Sequence, residues 1–157
     1  MSFLKIKKDK NNLEYVDLPN AVAAFIVNQK NEVIIVNVKR PLIDSSIEIP
    51  AGLIDNDETE ESAIIRELIE ETSIDFSDEI NDKTFNIQFN SAIGYSNQLL
   101  TLYVFRTKKE IIFKKEKLDQ EIINVGLINI EKLDEIISNK ELIDYKTILG
   151  LSVYKKL

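Results

Sequence analysis

The chain has 157 residues, 44% of them hydrophobic, and its 27 acidic and 20 basic residues give a net charge of −7. This length suits one globular domain, and the acidic balance argues against a nucleic-acid polymer as partner, since phosphate backbones are bound by cationic surfaces. Because the sequence contains no Cys and no His, disulfides, thiol nucleophiles, zinc–thiolate sites and Ser-His triads are excluded. Carboxylates remain the main groups for acid–base chemistry near neutral pH.

The apolar segments are short. The longest uninterrupted run covers residues 21–27, well below the roughly 20 residues that span a bilayer. Residues 1–10 contain no apolar core of signal-peptide length. We therefore expect a cytoplasmic protein with no membrane partner.

In the first part of the chain, apolar segments alternate with polar turns, which predicts strands. The polar residues 29–31 separate two of these segments and predict a hairpin, whereas a Pro among polar residues indicates a loop over 39–46. The predicted strands are 3–7 and 13–18 in the short N-terminal region 1–19, followed by 21–28, 32–38 and 47–49.

Beyond residue 58, a few helices are predicted as well as strands. Thr59 is a suitable N-cap for a helix that closes near Ser73, and Glu60 and Glu61 favour its first turn. A charged loop is expected over 114–121. The remaining predicted elements are strands at 84–93, 99–106 and 122–130 and helices at 131–139 and 144–154. Over the whole chain, strands alternating with a few helices predict a single α/β domain over residues 1–157.

Three carboxylates lie on one side of the predicted helix. At about 100° per residue, Glu67, Glu70 and Glu71 fall within roughly 100° of arc. Such hard oxygen ligands suit Mg²⁺ or Mn²⁺, and without a cation they would repel one another, apart from the pairing that Arg66 offers to Glu70. The alternative is a solvated acidic helix face, which is common in a chain this rich in Glu.

The spacing around these carboxylates resembles the Nudix box. Its pattern is Gly, five residues, Glu, seven residues, then Arg-Glu-apolar-any-Glu-Glu-any-Gly-apolar. The matching positions are Gly52, Glu58, Arg66, Glu67, Leu68, Glu70, Glu71 and Ile74, and Ser73 replaces the last Gly. The resemblance implies the Nudix fold, an α/β/α sandwich with a central mixed sheet, and metal ligands at Ala51 (carbonyl), Glu67, Glu70 and Glu71.

Segments outside the box are similar to those of ADP-ribose pyrophosphatases. They are Val38-Lys39-Arg40-Pro41, Ile47-Glu48-Ile49-Pro50-Ala51, Gly94-Tyr95-Ser96-Asn97, Asp119-Gln120-Glu121 and residues 141–147. The resemblance implies substrate contacts at Arg40, Glu48, Gly94 and Tyr95. It also implies that Glu121, Glu70 and Arg66 are catalytic residues. Arg66 and Glu58 are expected to hold the loop and the helix together. Taken alone, Arg40, Glu48, Glu121 and Tyr145-Lys146 would equally suit solvated surface positions.

Several positions depart from that group. Ile93 and Gln98 stand where many members carry Pro and Glu, and the chain has no Trp to stack on adenine. Phe3, Tyr15 and Tyr95 are the alternative stacking residues, although aromatic residues more often have a packing role. These departures leave the identity of the nucleotide open.

The expected activity is hydrolysis of ADP-ribose to AMP and ribose 5-phosphate with Mg²⁺ or Mn²⁺. The alternatives are a Nudix pyrophosphatase for another nucleotide sugar or a damaged nucleotide, and a sensor that binds a nucleotide without cleaving it. By resemblance alone, a homodimer is expected, because such enzymes often complete their site with the partner's N-terminal strands.

Overall fold

The structure is a computed structural model that describes residues 4–113, 121–141 and 144–157. Within those ranges the elements follow the order β1 (Lys5–Lys8), β2 (Glu14–Asp17), β3 (Ala21–Val27), β4 (Glu32–Arg40), β5 (Ile43–Glu48), β6 (Ala51–Leu53), α1 (Glu60–Thr72), β7 (Asn86–Asn90), β8 (Leu99–Arg106), β9 (Ile122–Asn129), α2 (Ile130–Ser138) and α3 (Tyr145–Tyr154). None of these helices is long and apolar enough to cross a bilayer.

Strand β3 lies at the centre of a mixed sheet. It pairs in parallel with β8 over its whole length and antiparallel with β6. The hairpin between β3 and β4 is confirmed, but the two strands pair only at Val27 and Val33. Beyond that point they separate, and β4 pairs with β5 and β9 instead. The separation leaves room for a cleft beside β6 and the end of β4.

The side chains of β3 alternate between two cores. Ala23 and Phe25 face the side that carries Leu133 of α2 and Leu151 of α3. Val22 and Ile26 face the side that carries Leu68 of α1 and its neighbours. Helices therefore cover both faces of the sheet, and the α/β/α sandwich with a central mixed sheet is confirmed.

The loop expected over residues 39–46 is wrong. Strand β4 continues to Arg40, and β5 begins at Ile43 and pairs with it antiparallel. The two-residue turn between them has Pro41 followed by Leu42 at φ 72°, the pattern of a type II turn. Gly is the usual residue at the positive-φ position of such a turn, so a Leu at this position did not indicate a turn in the sequence. The hairpin places Arg40 and Glu48 on neighbouring strands.

Other boundaries shift by a few residues. The strand predicted at 84–93 is limited to β7 (Asn86–Asn90), and the strand predicted at 47–49 is the end of β5, followed by β6. The predicted strands at 3–7 and 13–18 correspond to β1 and β2, which form a separate two-stranded sheet. Phe3 and residues 114–120, in the predicted charged loop, lie outside the described residues.

Helix α1 begins and ends as the sequence indicates. Thr59 is the N-cap and accepts a hydrogen bond from the Ser62 amide, while the Ser62 hydroxyl accepts one from the Thr59 amide. Ser73 closes the helix in the left-handed conformation at φ 60°. The position where the Nudix pattern carries Gly therefore has the backbone conformation that favours Gly.

Candidate active site

A cleft of about 650 Å³ opens where β4, β6, α1 and the start of β9 meet. Most of the residues singled out by the sequence reach it. The lining residues are Val38, Arg40, Ala51, Gly52, Leu53, Asp55, Arg66, Glu67, Glu70, Glu71, Glu121 and Ile122. Seven predicted site residues, Arg40, Ala51, Arg66, Glu67, Glu70, Glu71 and Glu121, thus share one concave surface. Glu48, Gly94 and Tyr95 do not line it.

Arg66 ties the loop before α1 to the carboxylates of the helix. Its Nε and Nη2 donate to the two carboxylate oxygens of Glu58 at 3.0 and 2.9 Å, and Nη2 also donates to the Leu53 carbonyl at 2.9 Å. Its Nη1 donates to Glu67 at 2.7 Å and to Glu70 at 3.2 Å. A guanidinium engaged in this way orients side chains, as expected for a residue that holds loop and helix together.

Glu67 lies directly against Gly52. A β-carbon added to Gly52 would overlap the Glu67 carboxylate, so the absence of a side chain makes room for it. Gly52 has no positive φ. The first position of the Nudix box therefore requires Gly because of this close approach and not because of a special backbone conformation.

Glu71 is buried, with 8% of its surface exposed, so the alternative of a solvated acidic helix face is wrong at this residue. Strand β6 packs against this part of α1, and the Ala51 amide donates to Glu71 Oε2 at 3.1 Å. Burial, reinforced by the charge of Glu67, raises the pKa of Glu71 to about 8. A carboxylate in this setting is poised to gain from a nearby cation.

The donor set of the cleft fits a hard divalent cation, because its candidate ligands are all oxygen atoms. Within the described residues, however, no three acidic side chains already surround one point. The hydrogen bonds explain this arrangement: Glu67 and Glu70 face Arg66, and Glu71 faces the Ala51 amide. A cation would compete with Arg66 for two carboxylates and would favour the charged form of Glu71.

Arg40 lies across the cleft from α1 and is held by Glu48. Its Nε and Nη2 each donate to one Glu48 oxygen at 2.7 Å, a bidentate pair. Glu48 is buried, so its assignment as a direct substrate contact receives no support from its position. Burial alone would raise the pKa of Glu48, but Arg40 and Lys146 outweigh it and lower the pKa to about 2.

Glu121 stands at the mouth of the cleft on the same side. Its Oε2 lies 3.9 Å from Arg40 Nη1, its side chain is 72% exposed, and its carbonyl accepts from the Lys39 amide at 3.0 Å. These contacts place a carboxylate beside Arg40, facing α1 across the cleft. The other acidic residues considered in this loop, Glu116 and Asp119, lie outside the described residues.

Gly94 and Tyr95 lie at a different surface. They line a second cavity of about 340 Å³ together with residues of the N-terminal hairpin, including Tyr15. The Tyr95 carbonyl accepts from the Val16 amide at 2.7 Å, which ties this loop to β2. Gln98 donates to the Pro19 carbonyl at 2.8 Å. The substrate contacts assigned to Gly94 and Tyr95 stay predictions.

Sequence reasoning missed the importance of Asp144, Lys146 and Thr147. It placed Lys146 in a segment similar to that of ADP-ribose pyrophosphatases and kept a helix-surface position as the alternative. Lys146 is buried and bonds to Glu48 and Asp144, so that alternative is wrong. Thr147 accepts from the Ile49 amide at 3.0 Å. The available signal was an N-cap Asp followed by Lys-Thr at a helix start, which by itself does not indicate what the helix packs against.

Several known proteins are similar to this chain. The NUDIX domain family matches residues 17–148. A methanol dehydrogenase activator of Bacillus methanolicus is 29% identical over 88% of this chain and 73% of its own length. An ADP-ribose pyrophosphatase of Bacillus subtilis (strain 168) is 27% identical over 85% of this chain and 71% of its own length.

A solved structure supports the same fold. The NUDIX hydrolase from Nitrosomonas europaea superposes with a TM-score of 0.67 at 20% identity, covering 88% of this chain and 89% of its own. The family match spans most of the chain and includes every element that lines the cleft. The chain therefore belongs to the NUDIX domain family and is a Nudix hydrolase.

Proposed function

We propose that this chain is a divalent-metal-dependent pyrophosphohydrolase that cleaves ADP-ribose to AMP and ribose 5-phosphate. The observation that carries the proposal is the placement of Glu67, Glu70 and Glu71 around the same cleft as Arg40 and Glu121. A pyrophosphate linkage repels an attacking nucleophile, so its hydrolysis needs cationic groups on the phosphates and a proton acceptor near the attacking water. The cleft offers residues for both tasks.

Glu67 and Glu71, one turn apart on α1, are the proposed main ligands of Mg²⁺ or Mn²⁺, with Glu70 and the Ala51 carbonyl as further ligands. When bound, such a cation neutralises phosphate oxygens and lowers the pKa of bound water. Arg66 holds Glu67 and Glu70 to one side of the cleft through its Nη1. Its proposed role is to orient these ligands.

On the opposite side, Arg40 is the proposed contact for a phosphate of the substrate. Glu121 is the proposed general base: it accepts a proton from water as the water oxygen attacks phosphorus. The bond from that phosphorus to the bridging oxygen then breaks, and two monophosphates leave. Glu48 is buried and hydrogen-bonded to Arg40, so its proposed role is to hold Arg40 in position.

The choice of ADP-ribose rests on the similarity to an ADP-ribose pyrophosphatase and on the motifs around Arg40, Gly94 and Glu121. The proposed partner is accordingly a small nucleotide. The homodimer, the cytoplasmic location and the absence of a nucleic-acid partner stay predictions.

A substrate panel tests the proposal. Purified protein is incubated with ADP-ribose, other nucleotide sugars and oxidised nucleoside triphosphates in the presence of Mg²⁺, and phosphatase-sensitive products are measured. We expect the highest kcat/KM for ADP-ribose. If another compound is cleaved preferentially, that compound becomes the assigned substrate in place of ADP-ribose. Nucleotide binding without cleavage of any compound would indicate a sensor.

Metal dependence is tested in the same assay. We expect EDTA to abolish turnover and Mg²⁺ or Mn²⁺ to restore it, since the cleft offers only oxygen ligands. Glu71→Gln should lower kcat by orders of magnitude and still fold, because an amide fits the same space and can accept from the Ala51 amide. Glu61→Gln, exposed on the first turn of the same helix, is the matched control. Full turnover in EDTA would contradict the metal assignment.

A further inference from the structure

A chain of buried charges connects the start of α3 to the cleft. Lys146 is 8% exposed, and its Nζ donates to Asp144 Oδ1 at 2.6 Å and to Glu48 Oε2 at 3.1 Å. Glu48 in turn accepts both bonds from Arg40 at 2.7 Å. The order Asp144, Lys146, Glu48, Arg40 therefore alternates in charge from the helix to the edge of the cleft.

Arg40, the last of these four charged residues, is the one that faces the cleft. Glu48 occupies Nε and Nη2 of Arg40, so Nη1 remains as the nitrogen nearest to Glu121, at 3.9 Å. A bidentate pair fixes the plane of a guanidinium, and the direction of its third nitrogen follows from that plane. The orientation of the Glu48 carboxylate thus sets where Arg40 points.

Two further contacts hold these four charged side chains in place. Asp144 is the N-cap of α3 and accepts from the Thr147 amide at 3.1 Å, and the Thr147 hydroxyl accepts from the Ile49 amide. Burial alone would lower the pKa of Lys146, but Asp144 and Glu48 raise it above its ordinary value. Removing one charge from such a set leaves the next charge buried without compensation.

We propose that Lys146 and Asp144 are positioning residues of the active site: they fix the Glu48 carboxylate and thereby aim Arg40 into the cleft. The α3 helix contributes no residue to the lining of the cleft in the described part of the chain, so its influence is exerted through Glu48. The proposal rests on the proposed function only where Arg40 is assigned to bind the pyrophosphate.

The first test does not depend on activity. The chain contains three arginines, Arg40, Arg66 and Arg106, so a proton–nitrogen NMR spectrum of arginine Nε–H groups is simple to assign by substitution. We expect Lys146→Met to shift the Arg40 signal and to speed its exchange with solvent, while the Arg66 signal stays in place. Lys155→Met, at the C-cap of α3, breaks the exposed pair with Asp134 of α2 and should leave the Arg40 signal unchanged.

The second test is kinetic and uses the best substrate of the panel. A charged hydrogen bond is worth about 1.5–3 kcal/mol, so Lys146→Met should raise KM about 10- to 150-fold. It should change kcat much less, because Arg40 is assigned to hold substrate and not to react. In an Arg40→Ala background, Lys146→Met should raise KM no further, since both changes act through one residue.

Asp144→Asn is a second variant that tests the proposal even if Lys146→Met does not fold. The Asn side chain keeps the N-cap hydrogen bond, so the substitution removes only the charge next to Lys146. It should shift the Arg40 signal in the same direction as Lys146→Met. An unchanged Arg40 signal in folded Lys146→Met or Asp144→Asn protein would overturn the proposal and leave a structural role. If no compound is cleaved by the unmodified protein, the proposed function fails, while the NMR result still decides the positioning role.

Discussion

At Gly52, the missing side chain leaves the space that the Glu67 carboxylate occupies. The neighbouring Ala51 amide donates to Glu71. One strand of three residues, β6, thus shapes the surroundings of two proposed metal ligands. This is why the box begins with a Gly 15 positions before the first Glu of the helix motif.

We expect Gly52→Ala to reduce kcat/KM by about 10- to 100-fold, the range observed when the support of a metal ligand is removed. The Glu67 side chain can rotate away from the new methyl group, so the melting temperature should change little. Gly126→Ala is the matched control because a β-carbon there meets no atom within 4 Å. A large loss of stability in Gly52→Ala would show that Glu67 cannot move.

Glu121 is the proposed base, and Glu121→Gln should lower kcat by roughly 10²–10⁴. KM for ADP-ribose should change little, because the residue need not contact the ground-state substrate. Steady-state kinetics measures both parameters. If Glu121→Gln is active while Glu116→Gln or Asp119→Asn is inactive, the loop is correct and the residue is wrong. If all three are active, metal-bound hydroxide needs no protein base.

At the scale of the element, α1 has a complete capping box at its N-terminus and an unfavourable residue at its C-cap. The Thr59 and Ser62 capping box satisfies amides that the first turn leaves without partners. At the other end, Ser73 adopts φ 60°, where a β-carbon is unfavourable. The substitution of Ser for the Gly of the Nudix pattern therefore bears on stability, and Ser73 does not line the cleft.

Ser73→Gly should increase the free energy of unfolding by a few tenths to about 1 kcal/mol, with unchanged activity. Ser138→Gly is the matched control, since Ser138 is exposed and in the last turn of α2, where Gly should destabilise by roughly a few tenths of a kcal/mol relative to Ser. Urea unfolding measures both. A less stable Ser73→Gly protein would mean that the left-handed conformation does not persist in solution.

At the scale of the whole molecule, Glu48 connects three elements. It lies on β5, bonds to Arg40 at the end of β4, and bonds to Lys146 on α3. Such a buried carboxylate links the pH dependence of stability to the contact between sheet and helix. Surface pairs such as Lys132 with Glu135 contribute little, because solvent screens them.

The pKa of Glu48 is about 2 in the folded chain and 4.5 in its ordinary state. The unfolded chain therefore takes up the proton first, so the contribution of Glu48 is complete above pH 4.5 and is lost as the pH falls towards 2. The contribution is on the order of 3 kcal/mol. We expect the difference in unfolding free energy between the unmodified protein and Glu48→Gln to shrink from pH 7 to pH 3. Glu135→Gln, the control, should have almost the same unfolding free energy as the unmodified protein at both pH values.

The sequence by itself determined the features that depend on neighbours along the chain. Helix α1 and its ends follow from a 3.6-residue period, a capping box and the Ser73 position, and β3 follows from an uninterrupted apolar run. The spacing of Gly52, Glu58 and the helical Glu residues indicated the family, because that chemistry sits within one loop and one helix.

Only the tertiary structure decided which charged residues are buried. Lys146 and Glu48 are 98 positions apart, and no local pattern shows that α3 covers the end of β5. Glu70 and Glu71 belong to the same acidic run of α1, but Glu71 is buried beside the Ala51 amide of β6 whereas Glu70 is exposed. The β4–β5 hairpin was hidden for a related reason. Its turn requires a positive φ, and Leu42 adopts that conformation because the pairing of two strands outweighs the local preference of a leucine.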